Sequence, residues 1–287
     1  MSHNTTEPKI TILMVDGGFR EQFHAIDFMA AQNLPHEDVE LLWVEYGDAI
    51  HPDLQNRLGQ HPNYRAITLG RNDTYHASRC FNRGITEARG EVLVIIDADV
   101  IVEPDFLSRL WQDHQHTDNL AVYCYRYNEA KADHRDEVDI EHLRSVCTIT
   151  NPSNHGACLS IRKKHLLAIN GYDTHPIFAT GFHANCLDVY TRLKAQGVMA
   201  RWNPDIKLFH PWHPSTAEHS INYQPQVHTS GWRARNLKFL PFRGIDPTLN
   251  TDPPPGLLKH LDWVRQQWMP WHQRIRHKVR NRLKLAA

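Results

Sequence analysis

The chain has no C-x-x-C pair. Its cysteines, Cys80, Cys124, Cys147, Cys158 and Cys186, are scattered and odd in number. This argues against a zinc site or a disulfide framework and fits a reducing compartment. Charge of either sign is not in excess, with Lys+Arg at 32 and Asp+Glu at 32 over 287 residues. That balance gives no global pull toward nucleic acid, and no nucleic-acid partner is expected. No apolar run approaches the roughly 20 residues a spanning helix needs. The opening Met1 to Pro8 is polar, unlike a signal peptide. These absences predict a soluble, cytoplasmic protein. There is no internal repeat, and the 21 histidines are spread along the whole chain, so only local context promotes one of them.

What is present is an alternation of strands and helices. Ile10 to Val15 is a β-branched run ending at Asp16-Gly17-Gly18, a strand and a turn. Phe19 to Asn33 carries Phe19, Phe23, Ile26, Met29 and Ala30 at helical spacing. Further strands are predicted over Val39 to Tyr46, Tyr64 to Leu69 and Leu120 to Tyr127, and helices over His76 to Arg89 and Pro104 to His116. The pattern argues a mostly parallel α/β sheet with right-handed crossovers. Asn128 to Arg144 reads as a charged surface excursion. Beyond it come a short strand at Ala157 to Ile161, helices at Lys163 to Ile169 and Ala184 to Gln196, and an extended stretch from Met199 to Phe209. Ser215 to Gly256 is poor in periodicity. Val264, Trp268, Trp271, Ile275, Val279 and Leu283 then form one helical stripe, with six Lys/Arg and no acid between Arg274 and Lys284. This reads either as a helix packed on the domain or as an interfacial helix on anionic lipid.

The most informative stretch is Val92 to Ile96 followed by Asp97-Ala98-Asp99. Five apolar residues, four of them β-branched, read as a strand buried on both faces of a parallel sheet. Ligands of open α/β sheets bind outside the carboxyl ends of the strands. Two carboxylates placed there repel each other unless a cation joins them, and Mg2+ takes one or two carboxylates together with phosphate oxygens and water. The alternative is an acidic strand-to-loop junction capping the next helix.

The order of motifs extends this. An acid closes the second strand in Glu45-Tyr46-Gly47-Asp48. A helix carries His76, Arg79, Asn82 and Gly84. Asn170-Gly171-Tyr172-Asp173, Asp188, Arg192 and His210-Pro211-Trp212-His213-Pro214 follow. From Lys9 to Pro214 this resembles the family 2 glycosyltransferases of the GT-A fold. The resemblance implies a Rossmann-like sheet flanked by helices over residues 9–214, with a nucleotide-sugar-binding half at 9–117 and an acceptor-side half at 118–214. An irregular extension at 215–287 ends in an amphipathic helix at 257–284. It implies that Glu45 reads the nucleotide base, and that His76, Arg79, Asn82 and Asp97 face the donor. Asp97, Asp99 and His210 would hold Mg2+ or Mn2+. The donor would be a nucleotide-diphosphate sugar, UDP-linked, and the acceptor a hydroxyl on a glycan or lipid-linked molecule. The basic tail would bring the protein to the inner face of a membrane.

The chain departs from the family where the base should lie. An inverting transferase needs a group to deprotonate the acceptor hydroxyl, usually within Glu-Asp-x-Asp-Leu-x-x-Arg. Here the aligned residues are Asn185 to Arg192, and the Glu-Asp pair is replaced by Asn185-Cys186. Asp188 is a candidate base, but its i, i+4 spacing to Arg192 equally describes a helix salt bridge. His183 and Asp173 are the other candidates, and retention of configuration or loss of catalysis also fits. Two rival readings follow: an inactive nucleotide-sugar-binding scaffold of the same fold, and a nucleotidyltransferase using Asp16-Gly17-Gly18-Phe19-Arg20 as a phosphate loop.

Overall fold

The computed structural model describes residues 7–135, 138–179, 184–214, 223–236 and 240–268. In chain order the elements begin with β1 (Ile10–Asp16), α1 (Ala25–Ala30), β2 (Val39–Glu45), α2 (Pro52–Leu58), β3 (Tyr64–Thr68), α3 (Ala77–Glu87) and β4 (Val92–Ile96). They continue with β5 (Ile101–Val102), α4 (Phe106–His116), β6 (Leu120–Asn128), α5 (Ile140–Val146), β7 (Thr148–Ile149), β8 (Cys158–Arg162) and α6 (Lys163–Ala168). The last are α7 (Asn185–Ala195), β9 (Met199–His210), α8 (Tyr223–Arg235) and α9 (Pro255–Trp268).

One sheet runs in the order β3-β2-β1-β4-β8-β6-β9-β5, with β7 paired to β6. β3, β2, β1 and β4 are parallel, as are β6 and β9, whereas β8 and β5 run against their neighbours. The near-continuous apolar runs of β1, β2 and β4 follow from burial on both faces. Ile10, Ile12, Met14, Val92 and Val94 face α1, α2 and α4, while Leu13, Leu93 and Ile95 face α3, α6 and α7.

Several boundaries differ from those read from the sequence. The first helix is confined to Ala25–Ala30 because the Asp16 carboxylate accepts the backbone N–H groups of Phe19 and Arg20 and Gly18 turns at φ 73°, holding this stretch as a loop. The excursion after β6 contains α5, whose Leu143 is buried. The aperiodic stretch after 214 contains α8. It buries polar residues, Gln226, Thr229, Ser230 and Arg233, and so carries no apolar stripe.

Helix α8 packs on α7, and α9 packs on α8 around Phe242, Leu257 and Leu261. The segment from 240 to 246 is laced to the turn before α7: Thr174 N–H donates to the Arg243 carbonyl at 2.7 Å, and Asp246 N–H to Asn170 Oδ1 at 2.7 Å. Of the terminal stripe, Val264 is buried. Trp271, Ile275, Val279, Leu283 and the basic run lie outside the described residues. Among the described residues no helix is long and apolar enough to cross a membrane.

Candidate active site at the carboxyl edge of the sheet

β1, β2, β4, β6 and β9 are parallel, so their carboxyl ends gather on one edge. Asp16 closes β1, Glu45 closes β2, Asp97 follows β4 and His210 closes β9. β1 lies between β2 and β4, with chain order reversing there, so this edge holds the crevice where such sheets bind ligands.

Asp99 is carried to His210 by a two-residue strand. Ile101 and Val102 of β5 pair antiparallel with Phe209 and Leu208 of β9, which folds the loop after β4 across to the end of β9. Asp99 Oδ1 then lies 3.6 Å from His210 Nε2, and Asp99 Oδ2 lies 3.5 Å from His213 Nε2. One ligand atom from each of Asp99, His210 and His213 falls within 4.8 Å of the others. Asp99 Oδ1 is buried without a hydrogen-bond partner, an arrangement that suits a cation. Two imidazoles and a carboxylate suit Mn2+ better than Mg2+, which prefers oxygen donors, and they leave positions open for other ligands.

Two arginines complete the site. Arg20 donates to Asp16 Oδ1 at 2.7 Å and to Asp99 Oδ2 at 3.1 Å, and Arg126 donates to Asp97 Oδ2 at 2.8 Å. The Nε atoms of both arginines are buried without partners. Burial raises the Asp97 pKa, and Asp99 adds to the rise against the pull of Arg126. Burial would also raise Asp99, but Arg20 and the two histidines outweigh it and hold Asp99 well below the usual carboxylate range. The hydrogen bond to Asp99 lifts the His213 pKa above its ordinary value.

Glu129, buried next to β6, orients the His210–Pro214 turn. Its Oε2 accepts the Trp212 N–H at 2.8 Å, and its own N–H donates to the His210 carbonyl at 3.0 Å. His142 and His134 lie 3.2 and 3.6 Å from the same carboxylate.

The residues expected to face the donor are placed differently from one another. Glu45 is 5% exposed and directly opposite Asp16 in the β1–β2 register, so burial and then Asp16 raise its pKa. His76 precedes α3, with Nε2 3.4 Å from the His175 carbonyl and Nδ1 buried without a partner, and burial lowers its pKa. Arg79 pairs with Asp73 at 3.1 Å, within a cluster that includes Tyr46 and Arg71. Asn82 is committed elsewhere. Its amide donates to the Tyr172 carbonyl at 2.8 Å and accepts the Tyr172 N–H at 2.7 Å, so it braces the Gly171-Tyr172 turn. Asp97 meets Arg126 and is not part of the Asp99–His210–His213 cluster, so of the expected set of Asp97, Asp99 and His210 the structure brings together Asp99 and His210, with His213 beside them.

On the acceptor side, Asp188 is sealed. It is 1% exposed and accepts from Arg192 at 2.8 Å and Arg233 at 2.6 Å. Burial alone would raise its pKa, but Arg233 and Arg192 lower it. A carboxylate enclosed by two guanidinium groups cannot reach an acceptor hydroxyl, so the geometry does not support Asp188 as the base. Asp173 is buried as well, paired with Arg233 and accepting the N–H groups of Phe242 and Arg243. His183 lies outside the described residues. Cys186, where the sequence resemblance implies an acid, has its thiol pushed up to about 12 by burial and by the charge of Asp97.

Arg20, Arg126, His213 and Arg233 were not singled out as site residues by the sequence. Arg20 had a signal in its Gly-Gly loop, and His213 in its spacing to His210. Arg126 in a strand and Arg233 in an aperiodic helix had none.

Fold and edge together define an α/β class with an open-sheet crevice, where acids, imidazoles and arginines converge as strand order reverses. The model for glycosyl transferase family 2 matches residues 25–185, and the chain belongs to that family. Comparison with curated protein sequences gives no match. Among solved structures the chain is similar to the mannosyltransferase PcManGT from Pyrobaculum calidifontis, determined in complex with GDP-Man and Mn2+. The TM-score is 0.58 at 17% identity, over 93% of this chain and 73% of that one. That likeness establishes the GT-A fold.

Proposed function

We propose that this protein transfers a sugar from a nucleotide-diphosphate donor to a hydroxyl of a glycan or lipid-linked acceptor, with a divalent metal. The observation that carries the reading is the convergence of Asp99, His210 and His213 with Arg20 and Arg126 on the carboxyl edge of one sheet. Transfer breaks the bond between the anomeric carbon and a phosphate oxygen, leaving an electron pair on the diphosphate. Arg20 and Arg126, with Nε atoms lacking partners, are placed to donate to that diphosphate. Asp99, His210 and His213 would hold Mn2+ or Mg2+, which when bound supplies Lewis-acid stabilisation of the leaving charge. Glu45, at the end of β2, is the candidate for reading the base. Membership of family 2 supports the reading, as does the GDP-Man and Mn2+ in the PcManGT complex.

The test is donor hydrolysis and transfer with a panel of UDP- and GDP-sugars plus Mn2+, with and without EDTA. Turnover that needs the metal and is lost in Asp99→Ala supports the reading; full turnover in Asp99→Ala sinks it. A second reading, an inactive nucleotide-sugar-binding protein, is favoured by Cys186 in place of an acid. Metal-dependent nucleotide binding with no turnover on any donor would select it.

A further inference from the structure

On β6, α7 and β9 lies a group of aromatic side chains that the donor chemistry does not use. Tyr123 is its floor, 1% exposed, on β6. Around it, ring centroids lie at 5.2 Å for Trp202, 5.5 Å for Tyr190 and 5.6 Å for His155, and Tyr125 lies 5.2 Å from Trp202. Unlike Tyr123, the other four rings are only partly buried. The Tyr123 hydroxyl is buried without a hydrogen-bond partner, which a plain apolar core does not leave behind.

The position of the group relates it to the site. The Asp97 N–H donates to the Ala157 carbonyl at 3.1 Å. In the β6–β9 register Tyr125 pairs with Lys207 and Asn128 with His210, so Tyr125 stands three residues, about 10 Å along β6, from the level of His210. His155 is two residues from Ala157, and a Cβ at the intervening Gly156 would lie 3.5 Å from Cys186 Sγ, at the start of α7. The rings thus lie on the β6–β9 side of the same edge.

We propose that Tyr125, Tyr190, Trp202 and His155 form a stacking platform that binds a pyranose ring of a glycan acceptor. A pyranose has an apolar C–H face that covers an aromatic ring, and hydroxyls that need polar partners. The platform offers both: Trp202 and Tyr125 present ring area, and the partly buried His155 presents a hydrogen-bonding group. Burial lowers the His155 pKa, which keeps its imidazole neutral near pH 7 and free to accept from a sugar hydroxyl. Lys194 lies 5.3 Å over the Tyr190 ring and adds a donor at the rim. The polar rim favours the sugar rather than the chain of a lipid-linked acceptor. The proposal rests on the transferase reading and names the acceptor class for it.

The test is saturation-transfer NMR on the full-length protein with methyl glycopyranosides of glucose, galactose, mannose and N-acetylglucosamine, beside calorimetric titration with UDP and GDP in Mg2+. Saturation should reach the ring C–H protons of at least one glycoside. Trp202→Leu should weaken that signal by about fivefold, the loss of roughly one aromatic contact. Trp263→Leu, a change at an exposed indole on α9, should leave it intact. Retained nucleotide binding in Trp202→Leu shows that the variant is folded. No saturation of any glycoside by the wild type, or equal saturation of the wild type and Trp202→Leu, overturns the platform. Absence of nucleoside-diphosphate binding by the wild type instead overturns the transferase reading on which the proposal rests.

Discussion

Arg233 donates to Asp188 across 2.6 Å, and neither side chain reaches solvent. One residue lies on α8 and the other on α7, so this contact joins the segment beyond 214 to the helix that carries the family's acceptor-side motif. Removing one partner of a buried ion pair leaves an uncompensated charge, here Asp173, which pairs with Arg233, while Asp188 keeps Arg192. Arg233→Ala should lose about 3–5 kcal/mol of stability, measured by urea unfolding.

The same geometry separates two roles for Asp188. Asp188→Asn should destabilise the protein while its folded fraction keeps turnover within about tenfold of the wild type. A 100- to 10,000-fold loss of kcat at unchanged stability, roughly what a general base contributes, would restore the catalytic role.

Glu129 acts on the Asp99–His210–His213 cluster through the backbone. It holds the Trp212 N–H and is not itself among the clustered ligands. Glu129→Gln should weaken Mn2+ binding by about 10- to 100-fold, the range typical of residues that orient metal ligands. Mn2+ titration followed by electron paramagnetic resonance reads this directly, and unchanged affinity would remove the positioning role.

Gly84 has its reason in β1. A Cβ there would run into the Leu13 side chain, which would have to shift to keep α3 this close to the sheet. Gly84→Ala should lose about 1–3 kcal/mol through overpacking. Trimming the neighbour in Gly84→Ala/Leu13→Ala should fail to add the full cost of each change, which a double-mutant cycle detects.

His114 sets a pH dependence away from the site. It is fully buried, Nε2 lies 2.9 Å from Ser160 Oγ, and burial with Arg162 lowers its pKa from 6.5 to about 4. The folded state holds the proton less well than the unfolded chain. The stability it confers is therefore complete above pH 6.5 and is lost as the pH falls toward 4. The loss should amount to about 3 kcal/mol over that window. Urea unfolding between pH 7 and 4 should be flatter in His114→Gln than in the wild type.

The strand ends were legible because burial on both faces leaves a short apolar run that an acid must terminate. Val92–Ile96 with Asp97-Ala98-Asp99 is the clearest case, and Val39–Glu45 the second. The short helix α2 and the longer α8 were less visible. In α8 the buried positions are polar, satisfied by partners that periodicity does not reveal. Asn82 matched a family motif, yet its amide is occupied by the Tyr172 backbone, a pairing that only contact shows.

The sequence by itself determined the parallel core of the sheet, the edge where its strands end, and the acids at the ends of β1, β2 and β4. These follow from local patterns of burial and termination. Tertiary structure alone decided which groups meet. The β5–β9 pairing carries Asp99 to His210 and His213, Arg126 takes Asp97, and Arg233 closes over Asp188. These choices depend on strand register and on charge compensation between segments far apart in the chain, and neither leaves a mark on local residue order.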